Sequence, residues 1–71
     1  MKRIEIEKKL QQYGVTVGDR IIVTERFAKG LMGQKGYTLA AYADHSLRLE
    51  DSGRNYIIFF NEIENVEPAN V

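Results

Sequence analysis

Three glycines, Gly30, Gly33 and Gly36, recur at every third position in the middle of the chain, with Lys29 and Lys35 beside them. Backbone N–H groups opened by glycine and flanked by ammonium groups suit an anion, so one reading is a loop for phosphate or nucleic acid. The spacing matches neither G-x-G-x-x-G nor G-x-x-x-x-G-K-[ST], and no helix start follows to add its dipole. The plain alternative is a connection needing positive φ at three positions. Around this loop Arg26, Phe27, Lys29, Lys35 and Tyr37 interleave cations with aromatics. Such side chains stack on bases or prolines while the cations neutralise acidic groups, which makes these five the candidate binding surface. The competing explanation has Phe27 folded back on the protein and the cations simply solvated.

Other reactive residue types support less. His45 is the single histidine and lies between Asp44 and Ser46. Neighbours on an extended chain point apart, so the trio forms neither a catalytic triad nor a metal site, and His45 reads as a turn residue. Glu50, Asp51, Glu62, Glu64 and Glu67 lack calcium-loop spacing and read as a solvated acidic face. No catalytic, cofactor-binding or metal-binding residue is expected. The chain is read as non-enzymatic, with no small-molecule substrate evident.

Composition narrows the class further. The 71 residues carry ten Lys+Arg, ten Asp+Glu and 44 % hydrophobic residues, the make-up of one small globular domain. With no cysteine there are no disulfides or thiolate zinc sites, which fits a reducing, cytoplasmic compartment. No apolar run approaches the roughly 20 residues that cross a bilayer, and no signal-peptide pattern opens the chain, so no membrane partner is expected. The zero net charge conceals a division. Residues 1–36 hold eight basic against four acidic residues, and residues 37–71 hold two against six. That dipolar arrangement predicts two faces of opposite sign.

The elements that must position these side chains follow from periodicity. Ile6, Leu10 and Tyr13 recur at helical spacing, and Gly14 follows as a stop, so residues 1–14 form an N-terminal helical segment. From Val15 the pattern turns extended. The run Ile21–Thr24 reads as a strand, and residues 25–36 read as a loop because of their glycines. Residues 37–43 alternate large and small side chains and suit a curved strand, although their alanines also permit a helix. Leu47 and Leu49 alternate, Asp51-Ser52-Gly53 is a turn, and the apolar run from Asn55 to Phe60 reads as a central strand. Residues 61–63 look like one helical turn, then residues 64–67 form a closing strand that Pro68 ends. The domain therefore spans residues 15–67, with 68–71 as a C-terminal tail. Short strands with frequent turns predict a small sheet curled over Ile21, Val23, Leu39, Leu47, Leu49, Ile58 and Phe60.

The element order resembles the SH3-like small barrels, and among them the KOW-type modules of ribosomal and transcription-factor proteins. Gly18-Asp19-Arg20-Ile21-Ile22-Val23 is similar to the Gly-Asp-x-apolar-x-Val opening of the first barrel strand. Phe27-Ala28-Lys29-Gly30 followed by Gly33 resembles the aromatic-x-Lys-Gly-x-x-Gly loop after it. Ile58-x-Phe60 with Ile63-Glu64-Asn65-Val66 resembles the last strand, helical turn and closing strand. The resemblance covers roughly residues 15–67. It implies a mainly β fold: a small five-stranded antiparallel SH3-like barrel with a short N-terminal helix and a single helical turn before the last strand.

Two functions fit such a barrel. The favoured one is protein–protein interaction or self-association, in a small accessory or regulatory protein of bacterial or phage type. In it Tyr56 and Phe59 on the fourth strand are candidate partner-facing apolar residues. The alternative is a nucleic-acid-binding module using the basic glycine-rich loop. A sequence pI near 6.6 argues against the second, because phosphate attraction normally leaves a basic domain.

Overall fold

The computed structural model describes residues 1–69. The expected helix is α1, Arg3–Gln12. The Glu5 carboxylate accepts the Lys2 backbone N–H at 2.8 Å, and Arg3 pairs with Glu7 at 2.6 Å along one side. Gly14, at φ 72°, carries the chain out of the helix. Ile6 and Leu10 are buried on one stripe. Tyr13 leaves that stripe because it is the cap residue, with non-helical dihedrals, and it is exposed.

Five strands follow: β1 (Arg20–Arg26), β2 (Met32–Tyr42), β3 (Ser46–Asp51), β4 (Arg54–Phe59) and β5 (Ile63–Pro68). They form one antiparallel sheet in the order β4-β3-β2-β1-β5, a four-strand meander whose fifth strand returns to the first. The fold is mainly β, with one short helix and two 3-10 turns, Ala28–Gly30 and Phe60–Glu62. A bulge in β2 between Leu39 and Ala41, and a register shift in β1 at Thr24/Glu25, bend the strands.

Three expectations change in this architecture, and one left open between strand and helix is decided. Residues 25–36 are not one loop: β1 runs to Arg26 and β2 starts at Met32, so the hairpin tip is only residues 27–31. The ambiguous stretch 37–43 is strand through Tyr42. The run Asn55–Phe60 is not central, because β4 lies at the sheet edge and its outward side chains are uncovered. The expected tail, 68–71, begins inside β5, and residues 70–71 lie outside the described ones.

One face of all five strands makes the core. Ile21, Val23, Leu39, Leu47, Leu49, Ile58 and Phe60 are buried as expected, joined by Tyr37, Ile63, Val66, Val15 and the α1 residues Ile6 and Leu10. The helix packs on β5. The Met1 ammonium donates to the carbonyls of Phe60 at 2.9 Å and Ile63 at 2.6 Å, and Lys9 Nζ donates to the Asn65 side chain. These contacts cover the β5 edge. Among the described residues no helix is long and apolar enough to cross a membrane.

Candidate binding hairpin

The β1–β2 hairpin carries all five residues of the candidate binding surface, and their neighbours explain two of the glycines. Strand register places Glu25 opposite Gly33, Val23 opposite Lys35 and Ile21 opposite Tyr37. Positions 33, 35 and 37 therefore share the core-facing side of β2. A Cβ on Gly33 would stand 2.6 Å from Cε2 of Phe27, so the Phe27 ring lies across that backbone. A Cβ on Gly36 would stand 3.1 Å from a terminal nitrogen of Arg20, whose guanidinium crosses β2 there. Gly33 and Gly36 are strand residues that let side chains from the β1 side cross them. Positive φ in this region belongs to Gly30 at 75° and to Lys29 at 64°. Within the series, Gly33 and Gly36 serve close packing and Gly30 serves the turn.

The candidate residues divide between two environments. Tyr37 is buried in the core, with its ring centroid 5.4 Å from that of Tyr56 in an edge-on arrangement. Lys35 Nζ sits 5.2 Å from the Tyr37 centroid and 4.6 Å from that of Tyr56. Tyr56 is accordingly half-buried against the core side, while its neighbour Ile57 occupies the outward face with Phe59. At the tip, Phe27 is 50 % exposed, Leu31 66 % and Met32 57 %. Phe27 N–H donates to the Leu31 carbonyl at 2.7 Å, which closes the tip. Leu31 and Met32 carry no signature in the sequence beyond being apolar next to glycines. Only the shortness of the tip makes them neighbours of Phe27.

Charge is settled internally. Arg20 reaches Asp51 at 3.2 Å, Lys35 reaches the other oxygen of Asp51 at 3.8 Å, and Arg26 Nε donates to Glu64 at 2.9 Å. Arg3 approaches Asp44 at 3.8 Å. Each of these pairs joins the basic half of the sequence to the acidic half. Of the hairpin cations, Lys29 has no ion-pair partner among the described residues. No family model, curated protein or solved structure matches this chain. Among the described residues no group of three or more His, Cys, Asp or Glu side chains is placed to hold a metal ion. His45 lies exposed in the β2–β3 turn, where its carbonyl accepts the Phe60 N–H at 3.0 Å.

Burial also perturbs ionisation near the site. The Glu25 carboxyl, on the inner face of the hairpin, is raised by burial and secondarily by Glu62. The Tyr37 phenol is raised mainly by burial, against the lowering effect of Lys35, and the Tyr42 phenol is raised by burial and by Glu7. A raised native pKa favours folding at pH values below the unfolded value of about 10 and loses that contribution as pH rises through the native one. An alkaline tyrosinate absorbance titration should therefore find late-ionising phenols, with unfolding following their ionisation. Tyr37→Phe should delete one of the late steps. If Tyr37→Phe leaves the titration unaltered, the burial account of this ring is wrong.

Proposed function

We propose that this protein is a small non-enzymatic binding module that docks a protein partner on the β1–β2 hairpin tip. Phe27, Leu31 and Met32 supply the apolar contact, and Lys29 supplies the charge. One observation carries this reading: three large apolar side chains, each at least half exposed, occur at or beside a tip closed by a backbone hydrogen bond. Exposed apolar clusters of this kind mark interaction sites. The partner chemistry that fits is an apolar surface with an acidic group near it. The return of β5 to β1, and the 3-10 turn before β5, support the resemblance to SH3-like barrels. Nucleic acid fits less well, because Arg20, Arg26 and Lys35 are already paired with carboxylates.

A photo-reactive residue placed at Leu31, with a second at the exposed Val17 as control, tests the proposal in cells. The expected result is a discrete protein adduct from position 31 and none from position 17. Phe27→Ala should then weaken the isolated interaction by about tenfold or more, as loss of an aromatic anchor does. A nuclease-sensitive adduct would support the nucleic-acid alternative. Identical adducts from the two positions would end the hairpin reading.

A further inference from the structure

We propose that β4 is a dimerisation edge, pairing antiparallel with β4 of a second copy of this chain with the two Ile57 residues at the two-fold axis. This inference is independent of the hairpin reading and uses the free edge of the sheet rather than the hairpin tip. The β3–β4 connection is a two-residue turn, Ser52 at φ 51° and Gly53 at φ 77°, which is the type I′ geometry. In such a hairpin the flanking residues, Asp51 and Arg54, exchange both hydrogen bonds, and the pattern alternates along the pair. The register Asp51↔Arg54, Leu49↔Tyr56, Leu47↔Ile58 continues in phase to the Phe60 N–H that reaches the His45 carbonyl. The alternate residues Asn55, Ile57 and Phe59 therefore aim their backbone N–H groups away from β3, as do the carbonyls of Asn55 and Ile57. The same positions carry the exposed side chains Ile57 and Phe59.

Among the described residues, no backbone partner occupies this edge. β4 holds no proline, no bulge and no lysine, the devices that normally keep an edge strand single. The β5 edge is guarded by α1, the Met1 ammonium, Glu64, Glu67 and Pro68. A protein with one open edge forms a closed two-fold pair, because the joined sheet offers no further β4 edge to extend a filament.

Charge along the strand favours one direction of pairing. The edge begins at Arg54 and runs out into Asn61 and Glu62. An antiparallel copy centred on Ile57 brings Arg54 of each chain to the Phe60–Glu62 end of the other, whereas a parallel copy would align Arg54 with Arg54. In this register Ile57 faces Ile57 and Asn55 faces Phe59 of the second chain. About four backbone hydrogen bonds join the two strands.

Light scattering and sedimentation across a dilution series from about 1 μM to about 1 mM read the association directly. The expected behaviour is a monomer–dimer equilibrium with no larger species. Hydrogen exchange at the Ile57 and Phe59 amides should slow as concentration rises, while the Tyr56 and Ile58 amides stay protected throughout. Ile57→Lys, on an exposed outward position, should raise the dissociation constant about tenfold or more while circular dichroism and thermal unfolding report an intact fold. Arg54→Glu should weaken the dimer, and adding Glu62→Lys to it should restore association. Leu31→Asp, at the far hairpin, should leave the dimer unchanged. A monomer at every concentration overturns the proposal. So does a dimer that survives Ile57→Lys, a dimer lost on Leu31→Asp, or growth beyond two chains.

Discussion

Leu39→Ala should leave the domain unfolded, or nearly so, at room temperature. Leu39 is fully buried, faces Leu49 across the β2–β3 ladder and sits just before the β2 bulge. Its N–H donates to the Asp19 carbonyl at 2.9 Å, and its carbonyl accepts the Gly18 N–H at 2.8 Å, so the turn before β1 is tied to this one residue. Truncation removes a buried isobutyl group from the point where several strands meet, and such cavities cost about 2–5 kcal/mol. Domains are stable by about 5–15 kcal/mol in total, and one this small falls near the lower end. The comparison variant is Leu31→Ala, which removes a similar side chain from the exposed hairpin tip and should alter stability by no more than about 0.5 kcal/mol. Urea unfolding followed by circular dichroism separates them. Equal midpoints for the two variants would mean that Leu39 is not at the centre of the core.

What the sequence disclosed and what it hid divide along a physical line. Periodicity and turn chemistry are local, so α1, the strand succession, the Ser52-Gly53 turn and the expected core residues were all legible. Register is not local. Gly33 and Gly36 read as loop residues because glycine is rare inside strands, and only the cross-strand partners Phe27 and Arg20 explain their small size. Tyr37 read as a surface aromatic because it stands beside lysine and glycine, yet β2 turns that position inward. The run Asn55–Phe60 reads as a central strand with Tyr56 and Phe59 facing a partner, whereas alternation along an edge strand leaves Ile57 and Phe59 outside and turns Tyr56 toward the core. An apolar outward face on an edge has the same sequence signature as a central strand, and that ambiguity hid the edge position of β4 and the pairing of Phe59 with Ile57 rather than Tyr56.

The charge division shows the same limit in another form. Counting residues located four surplus cations in one half and four surplus anions in the other, but not their meeting places. The sheet interleaves the halves: β1 and β2 supply Arg20, Arg26 and Lys35, while β3 and β5 supply Asp51 and Glu64. Exposed pairs of this sort contribute little stability each, so their main consequence is to lower the positive potential around the hairpin. A hairpin with few free cations but three exposed apolar side chains suits a protein surface better than a phosphate backbone.

Removing α1 should abolish cooperative folding of the remaining strands. A frayed N-terminal helix would be dispensable, and the residue pattern alone leaves that possibility open. In the fold, however, Ile6 and Leu10 have no exposed surface and belong to the same cluster as Val66, Ile63 and Phe60. Without the helix, those strand residues and the β5 edge would face water, with the Met1 and Lys9 hydrogen bonds lost as well. Leu10→Ala isolates the packing contribution and should cost about 2–5 kcal/mol. At about 4–8 °C per kcal/mol for a domain of this size, the melting temperature should fall by roughly 10 °C or more. Ile4→Ala on the same helix exchanges an exposed side chain for a better helix former and should leave the melting temperature nearly unchanged or slightly higher. The two substitutions separate helix formation from helix packing. If Leu10→Ala is as harmless as Ile4→Ala, or if residues 15–71 alone give a dispersed amide spectrum and a sharp unfolding transition, then α1 is an appendage and the core is complete without it.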